Sequence, residues 1–174
     1  MKLFSLALVV AIAGQANAQT PIVFKQARVF DGTNVIAAAD VLVQDGKIAR
    51  VATNIAAPAG AQIIDARGKT LLPGLIDAHT HTFGDALREA VIFGVTTTLD
   101  MFTDPQFAKL MREEQRAGKA NDRADLFSAG VLVTTPGGHG TEYGMPIPTI
   151  TSPDSAQAFV DARIAEGSDY IKLV

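Results

Sequence analysis

The sequence predicts an α/β protein whose C-terminal part is a parallel β-sheet covered by helices. From residue 71 onward, short apolar runs alternate with segments of helical periodicity. Before residue 71 the apolar runs are short, lack that periodicity and are separated by turn residues. With 48% hydrophobic and 19% charged residues, the 174-residue chain has enough apolar surface to build a core. Alternating strands and helices require parallel strands joined by right-handed crossovers.

Residues 1–18 have the features of a secretory signal peptide. Lys2 precedes an apolar run at 3–13, and Ala16-Asn17-Ala18 follows as a small-x-small cleavage site. The run is shorter than the ~20 apolar residues of a membrane-spanning helix. A buried N-terminal helix is the alternative. We expect an exported protein, periplasmic or secreted, that begins at Gln19 and has no membrane association after cleavage.

Residues 19–70 are predicted to form a small antiparallel β unit. A first strand is expected at 22–30, and Ile63-Ile64 marks a short later one. Asp45-Gly46 lies between the apolar stretches 41–43 and 48–51. Asp-Gly between two such stretches is typical of a tight β-hairpin, because the turn needs positive φ angles.

Residues 71–174 are predicted to contain four strands and three helices in βαβαβαβ order. The strands are expected at 72–78, 95–99, 126–133 and 170–174, and the helices at 85–93, 104–118 and 152–167. Asp104 and Pro105 fit the cap and first position of the second helix. A doubly wound sheet and part of a (β/α)8 barrel both fit this order. No glycine-rich phosphate fingerprint follows the first strand, which disfavours nucleotide binding.

Composition excludes several functional classes. The net charge is −3 and no Lys/Arg cluster stands out, so a basic nucleic-acid interface is not expected. There is no cysteine, which excludes disulfides, a thiolate nucleophile and cysteine-ligated metals. Any metal chemistry must therefore use histidine, carboxylates or a less usual ligand.

The strongest candidate metal ligands are His79 and His81, directly after the apolar strand at 72–78. Residues i and i+2 of a strand point the same way, so both imidazoles face one side. They lie at the C-terminal end of the strand, where parallel α/β folds place their active sites. Two such imidazoles make half of a zinc site. The alternative is a polar strand end that binds no metal.

Lys172 is the second candidate, within the apolar run Tyr170-Ile171-Lys172-Leu173-Val174. A strand buried on both faces rarely contains an ammonium group, because its desolvation is costly. The functional interpretation is an amine available for covalent chemistry, directed into the same interior as His79 and His81. The alternative is a lysine at a strand end that reaches to water.

The long loop at 136–152 holds the third candidate site, Gly137-Gly138-His139-Gly140 followed by Glu142 and Tyr143. Loops of this length in compact domains are usually functional or disordered. Glycine on both sides of His139 permits close approach to a ligand. A solvent loop with an incidental histidine is the alternative. Three aspartates, Asp65, Asp77 and Asp100, fit either orienting or structural roles.

Five segments together resemble the amidohydrolase superfamily, in its imidazolonepropionase-like and prolidase-like branch. They are Pro73-Gly74-Leu75-Ile76-Asp77-Ala78-His79-Thr80-His81, Asp45-Gly46-Lys47-Ile48 with Ile64-Asp65-Ala66-Arg67-Gly68, Gly94-Val95-Thr96-Thr97-Thr98, Gly137-Gly138-His139-Gly140, and Ser168-Asp169-Tyr170-Ile171-Lys172. The segments occur in the order and at the spacing of that family, and the resemblance extends over residues 20–174.

This resemblance implies a (β/α)8 TIM barrel beside a β-sandwich. Residues 19–70 would be the N-terminal part of the sandwich and residues 71–174 the first half of the barrel. It also implies that His79 and His81 bind zinc, that Lys172 bridges two metal ions as its carbamate, and that His139 and Tyr143 contact substrate. The implied reaction is hydrolysis of an amide-type C–N bond in a small molecule such as a dipeptide, through a metal-activated hydroxide.

The sequence departs from the family where later strands would supply two further histidines and a proton-shuttling aspartate. We therefore expect an N-terminal fragment, truncated after barrel strand 4, with no catalytic residue of its own. It would bind zinc weakly at most and be inactive and poorly soluble alone. The alternative is a non-catalytic half-barrel that acts as a binding module or associates with another chain. That other chain could be a second copy of this one.

Overall fold

The computed structural model describes residues 19–144 and 146–174. The predicted signal peptide at 1–18 lies outside the described residues. The chain divides after Pro73 into two compact units, each of which is described by itself. Within the described ranges, no helix combines the length and the apolar character needed to span a bilayer.

The first unit is a mixed β-sheet. Its strands are β1 (Ile22–Phe30), β2 (Val35–Gln44), β3 (Lys47–Ala52), β4 (Gln62–Asp65) and β5 (Thr70–Leu71). The order is β3-β2-β1-β4, with β5 also paired to β1. Strands β1, β2 and β3 are antiparallel, whereas β4 and β5 run parallel to β1.

The prediction of a wholly antiparallel first unit is therefore wrong. A two-residue turn forces antiparallel pairing, but the longer connection at 53–61 lets β4 return in the direction of β1. The hairpin itself is confirmed, since Asp45 and Gly46 have φ angles of 51° and 70° between β2 and β3. Small and branched residues form the core of this unit: Ala27, Val29, Ala39, Val41 and Ala66, packed by Phe24 and Leu71.

The second unit is α/β with a parallel sheet, as predicted. Its elements are β6 (Leu75–Thr80), α1 (Ala86–Ile92), β7 (Val95–Asp100), α2 (Pro105–Arg116), β8 (Asp125–Ser128) and α3 (Ala156–Glu166). The strands pair in the order β6-β7-β8, all parallel. Leu87 of α1, Ala108 of α2, and Ala124 and Leu126 beside and on β8 form its main apolar cluster.

Local signals set the helix boundaries of this unit. The Asp104 carboxylate accepts hydrogen bonds from the amides of Gln106 and Phe107 at 2.8 and 2.9 Å, and Pro105 begins α2. Gly167 ends α3 in a left-handed conformation with φ 93°. Both boundaries follow the predicted capping pattern.

Strand β6 begins at Leu75 and not at Leu72, because the chain passes very close to β7 at Gly74. A Cβ at Gly74 would lie 2.0 Å from Oγ1 of Thr96, so any other side chain there would require Thr96 to move. Proline at 73 cannot donate a ladder hydrogen bond, which also delays the start of the strand.

The two later strand predictions need correction. Strand β8 ends at Ser128 instead of Val133, because the chain turns at Gly130 (φ 61°), whose amide donates to Oγ of Ser128 at 2.8 Å. The predicted strand at 170–174 is reduced to one parallel bridge between Val133 and Leu173. Val133 donates its amide to the carbonyl of Lys172 at 2.8 Å and accepts from the amide of Val174 at 3.1 Å.

Candidate metal and substrate site

A cavity of about 280 Å³ lies where the strands of the second unit end. Its lining residues are His81, Phe83, Phe102, Leu132, His139, Tyr143 and Lys172. Four of the candidates chosen from sequence, spread from residue 81 to residue 172, therefore share one cavity. His79 does not line it. The C-terminal ends of parallel strands meet at one edge of a sheet, which explains why distant segments converge here.

His79, on β6, and His81, directly after β6, lie close together. The ring centroids of His79 and His81 are 5.8 Å apart and their planes are inclined by 64°. The amide of His79 donates to Oδ1 of Asp77 at 3.1 Å. Asp77 therefore contacts the backbone of His79 and not its ring. Of the orienting and the structural role considered for Asp77, this contact fits the structural one.

The backbone favours one tautomer of a neutral His81 ring. Its Nδ1 lies 3.3 Å from the carbonyl oxygen of Phe102, just beyond the end of β7. Because a carbonyl only accepts, this contact favours the neutral ring that has its proton on Nδ1 and its lone pair on Nε2. Metal-binding histidines commonly donate their second ring nitrogen to such an oxygen.

Lys172 reaches the same cavity from the last residues of the chain. It is half-buried, and its carbonyl oxygen is held by the amide of Val133. Within the described ranges no carboxylate forms an ion pair with its ammonium group.

The loop after β8 is ordered around His139. Nδ1 of His139 lies 2.7 Å from Oε1 of Glu142, in the 3-10 turn Thr141–Tyr143. The Tyr143 ring meets the edge of His139 at a centroid distance of 5.9 Å and also contacts Phe102 at 6.5 Å. The aromatic contacts tie this loop to the residue whose carbonyl oxygen contacts His81.

Asp100, at the end of β7, is fully buried beneath the site. It accepts hydrogen bonds from the Thr82 amide at 2.8 Å and from Oγ of Ser128 at 2.6 Å. Burial raises the pKa of Asp100, and the hydrogen bonds from Ser128 and Thr82 offset this in part. The carboxyl group thus connects the residue after His81 to β8. Asp65, in contrast, lies in the first unit and forms an exposed ion pair with Arg67.

Three cavity residues were not identified from the sequence: Phe83, Phe102 and Leu132. Phe83 follows His81 by two residues, so the alternation that grouped His79 with His81 could have included it. Phe102 and Leu132 follow strand ends, a position that sequence shows only once the strand bounds are known. The buried residues Phe102 and Leu132 contribute an apolar wall to the cavity.

A second cavity, of about 350 Å³, lies between β6 and α1. Asp77, Glu89 and Phe93 contribute to its lining, and of the candidate ligands and substrate contacts it includes only His81. We assign the candidate site to the smaller cavity because that one also gathers His139, Tyr143 and Lys172.

The donor set fits a metal only in part. His79 and His81 supply two imidazoles, and Lys172 would become an anionic ligand only after carbamylation. Within residues 19–144 and 146–174, no cluster of three His, Asp or Glu side chains could hold a metal ion. Two imidazoles fall short of the three protein ligands that a catalytic zinc usually has.

Comparison with known proteins gives no match to any family model. A 58-residue segment, 33% of this chain, is 50% identical to a dihydroorotase of Bacillus cytotoxicus and covers 13% of that protein. A proposed prolidase from Bifidobacterium longum aligns over 89% of this chain and 40% of its own, with a TM-score of 0.71 and 27% identity. An Xaa-Pro dipeptidase with bound methionine aligns over 88% of this chain and 47% of its own, with a TM-score of 0.70 and 23% identity.

The chain thus spans less than half the length of these solved structures and a small part of the curated relative. The structural neighbours are amidohydrolase-like and prolidase-like proteins, and the short curated match is to a dihydroorotase. These findings confirm the resemblance that the sequence predicted.

Proposed function

We propose that this chain forms the N-terminal half-site of a metal-dependent hydrolase that acts on amide-type C–N bonds, with a dipeptide-like substrate. The observation that carries the proposal is the shared cavity of His81, His139, Tyr143 and Lys172. His81 directly follows the C-terminal end of β6, and the other three residues lie in segments after β8. The fold is similar to that of a prolidase-like protein. On this proposal residues 71–174 belong to a (β/α)8 barrel, and residues 19–70 belong to a β-sandwich.

The proposed metal ligands are His79, His81 and the carbamate of Lys172, and zinc is the proposed metal. The unprotonated Nζ of Lys172 would add to CO2, which forms an N–C bond and releases one proton to solvent. The product is an anion that resembles a carboxylate. A bound zinc ion would lower the pKa of its water and polarise the scissile carbonyl.

The other cavity residues would bind and orient the substrate. His139 and Tyr143 would contact its polar groups, and the wall formed by Phe102 and Leu132 would exclude water from its apolar part. Asp100 would hold the segment after His81 in place through the Thr82 amide. Within the described residues no aspartate is hydrogen-bonded to the ring of His79 or of His81.

The test of this proposal is a dipeptide-hydrolysis assay with added zinc and bicarbonate. The 174-residue chain alone is expected to show no measurable turnover, because its donor set cannot hold two metal ions. A longer version that supplies two further histidines and an aspartate is expected to hydrolyse the substrate and to lose activity on His79→Ala. Turnover by the 174-residue chain that disappears with His79→Ala would show that the half-site suffices.

Zinc binding provides a second test. Weak binding to the mature chain is expected in equilibrium dialysis, with loss of measurable binding in His81→Ala. Asp77→Ala is the matched control, since the Asp77 carboxylate accepts from the backbone amide of His79 and, within the described residues, is hydrogen-bonded to no imidazole ring. Equal zinc binding by the wild type and His81→Ala would contradict the assignment of His81 as a ligand.

A non-catalytic half-barrel that associates with another chain is the second candidate function. The edge strand β6 favours it, because Leu75 and Ile76 are 52% and 64% exposed. Size-exclusion chromatography with light scattering separates the two. A stable dimer with no zinc affinity would support association, and a zinc-binding monomer would support the half-site.

We also propose export to the periplasm or beyond the cell, based on the signal-like residues 1–18. N-terminal sequencing of the exported protein is expected to begin at Gln19. An exported mature protein that keeps Met1 would contradict this proposal.

A further inference from the structure

The loop of the candidate site contains a carboxylate with no role in the proposed function so far. Glu142 lies in the 3-10 turn Thr141–Tyr143, between two glycines in left-handed conformations, Gly140 (φ 98°) and Gly144 (φ 75°). Its two oxygens have different partners. Oε1 lies 2.7 Å from Nδ1 of His139, and Oε2 accepts from the Gly140 amide at 2.5 Å.

Hydrogen bonds from backbone amides, with that of its own residue foremost, hold the pKa of Glu142 below its ordinary value. Glu142 is therefore an anion that only accepts hydrogen bonds. A ring nitrogen at 2.7 Å from it must be the donor, so the proton of a neutral His139 ring is on Nδ1 and the lone pair is on Nε2. A histidine side chain surrounded only by water would have no carboxylate that favours a proton on Nδ1.

The backbone around this pair leaves little freedom for another arrangement. A Cβ at Gly140 would lie 3.0 Å from both terminal carbons of buried Leu132, which places the turn directly against the cavity wall. The Thr141 hydroxyl and amide both donate to the Gly138 carbonyl, at 2.7 and 3.1 Å. Glu142 is thus held on the same turn that presents His139 and Tyr143 to the cavity.

We propose that Glu142 is a positioning residue that fixes the tautomer and orientation of His139 and thereby presents Nε2 of that ring to a ligand in the cavity. Only the role of His139 toward a substrate rests on the proposed function. The tautomer is a property of the chain alone and is measurable without metal, substrate or turnover.

Nitrogen-15 NMR of the histidine rings tests this directly. The sequence has three histidines, so a long-range ¹H–¹⁵N spectrum of histidine-labelled protein contains three ring systems, and His139→Asn identifies one of them. At about pH 8.5, where free imidazoles are neutral, His139 is expected to be protonated mainly at Nδ1. In Glu142→Gln, the ratio of Nδ1–H to Nε2–H is expected to fall roughly two- to fivefold, as suits a partly exposed pair.

Glu113→Gln, on the exposed surface of α2, is the matched control and should leave the His139 spectrum unchanged. A wild-type His139 protonated mainly at Nε2 would overturn the inference, even if Glu142→Gln failed to fold. An unchanged His139 ratio in a folded Glu142→Gln protein would overturn it as well. A shifted ratio in a chain that binds no zinc would uphold the positioning role and count against the proposed hydrolase, so the two failures are distinguishable.

Discussion

Replacement of Asp100 by alanine is expected to lower the free energy of unfolding of the second unit by about 3–4 kcal/mol. The Thr82 amide and the Ser128 hydroxyl would both lose a buried acceptor, and each unsatisfied buried donor costs ~1–3 kcal/mol. The Ser128 hydroxyl also accepts from the Gly130 amide, so the turn after β8 would loosen too. His81, next to Thr82, is expected to become mobile.

Tyrosine signals provide a selective measurement of this change. The chain has two tyrosines and no tryptophan, and both Tyr143 and Tyr170 belong to the second unit. Urea unfolding followed by tyrosine fluorescence or near-ultraviolet circular dichroism therefore reports on that unit. Asp77→Ala is the matched control, an exposed carboxylate on β6 with an expected loss under about 1 kcal/mol. Equal urea midpoints for the Asp100 and Asp77 variants would refute the role given to Asp100.

Elements whose signals lie within a few residues of each other were predicted well. The cap of α2 depends on Asp104 and Pro105 and on amides two and three residues further on. The hairpin between β2 and β3 depends on the two residues Asp45 and Gly46. Such features need no knowledge of the rest of the chain, because the interacting groups are adjacent in sequence.

Strand pairing over longer distances was predicted less well. The apolar run at 126–133 is divided by the turn at Gly130, which depends on Ser128 and, through it, on Asp100 of another strand. The segment at 170–174 has strand-like composition but meets its neighbour at a single bridge. Composition gives the tendency to extend, whereas pairing depends on which backbone groups lie alongside.

The residues of the candidate site also differ in how far the sequence alone could identify them. His81, His139, Tyr143 and Lys172 were selected from motif position and chemistry, and they share a cavity. Phe102 was not selected, because its carbonyl acts on His81 only once β6 and β7 are paired. Glu142 was noted without a role, since its contact with His139 depends on the left-handed turn at Gly140.

Asp40 is expected to be the most sensitive single position of the first unit. This carboxylate is 2% exposed and accepts from Nζ of Lys25 at 2.5 Å, from the Gln26 amide at 3.0 Å and from the Ile55 amide at 2.9 Å. Gln26 sits in an irregular stretch of β1 with a positive φ of 57°, a conformation that costs energy for a residue other than glycine. Asp40 therefore holds a strained segment of β1 and the chain after β3 together.

Asp40→Ala is expected to destabilise the first unit by about 2–3 kcal/mol, because two backbone amides lose an acceptor with a negative charge. Hydrogen-exchange mass spectrometry of peptides covering residues 22–56 measures this loss without any signal from the second unit. Asp65→Ala is the matched control, since Asp65 forms an ion pair with Arg67 that is exposed and screened by water, and its loss should leave exchange in this region nearly unchanged. Equal exchange rates in the two variants would contradict the assignment.

The same carboxylate predicts the acid sensitivity of the first unit. The hydrogen bond from Lys25, followed by that from the Ile55 amide, lowers the pKa of Asp40 to about 2, below the ~3.9 of an unfolded aspartate. A carboxylate whose pKa is lower in the folded state stabilises the fold above the unfolded pKa. This stabilisation is lost as the pH falls from about 4 to about 2. The amide signals of Gln26 and Ile55 are expected to titrate together with a midpoint near pH 2, and a midpoint near 4 in the folded protein would contradict the contacts that hold Asp40.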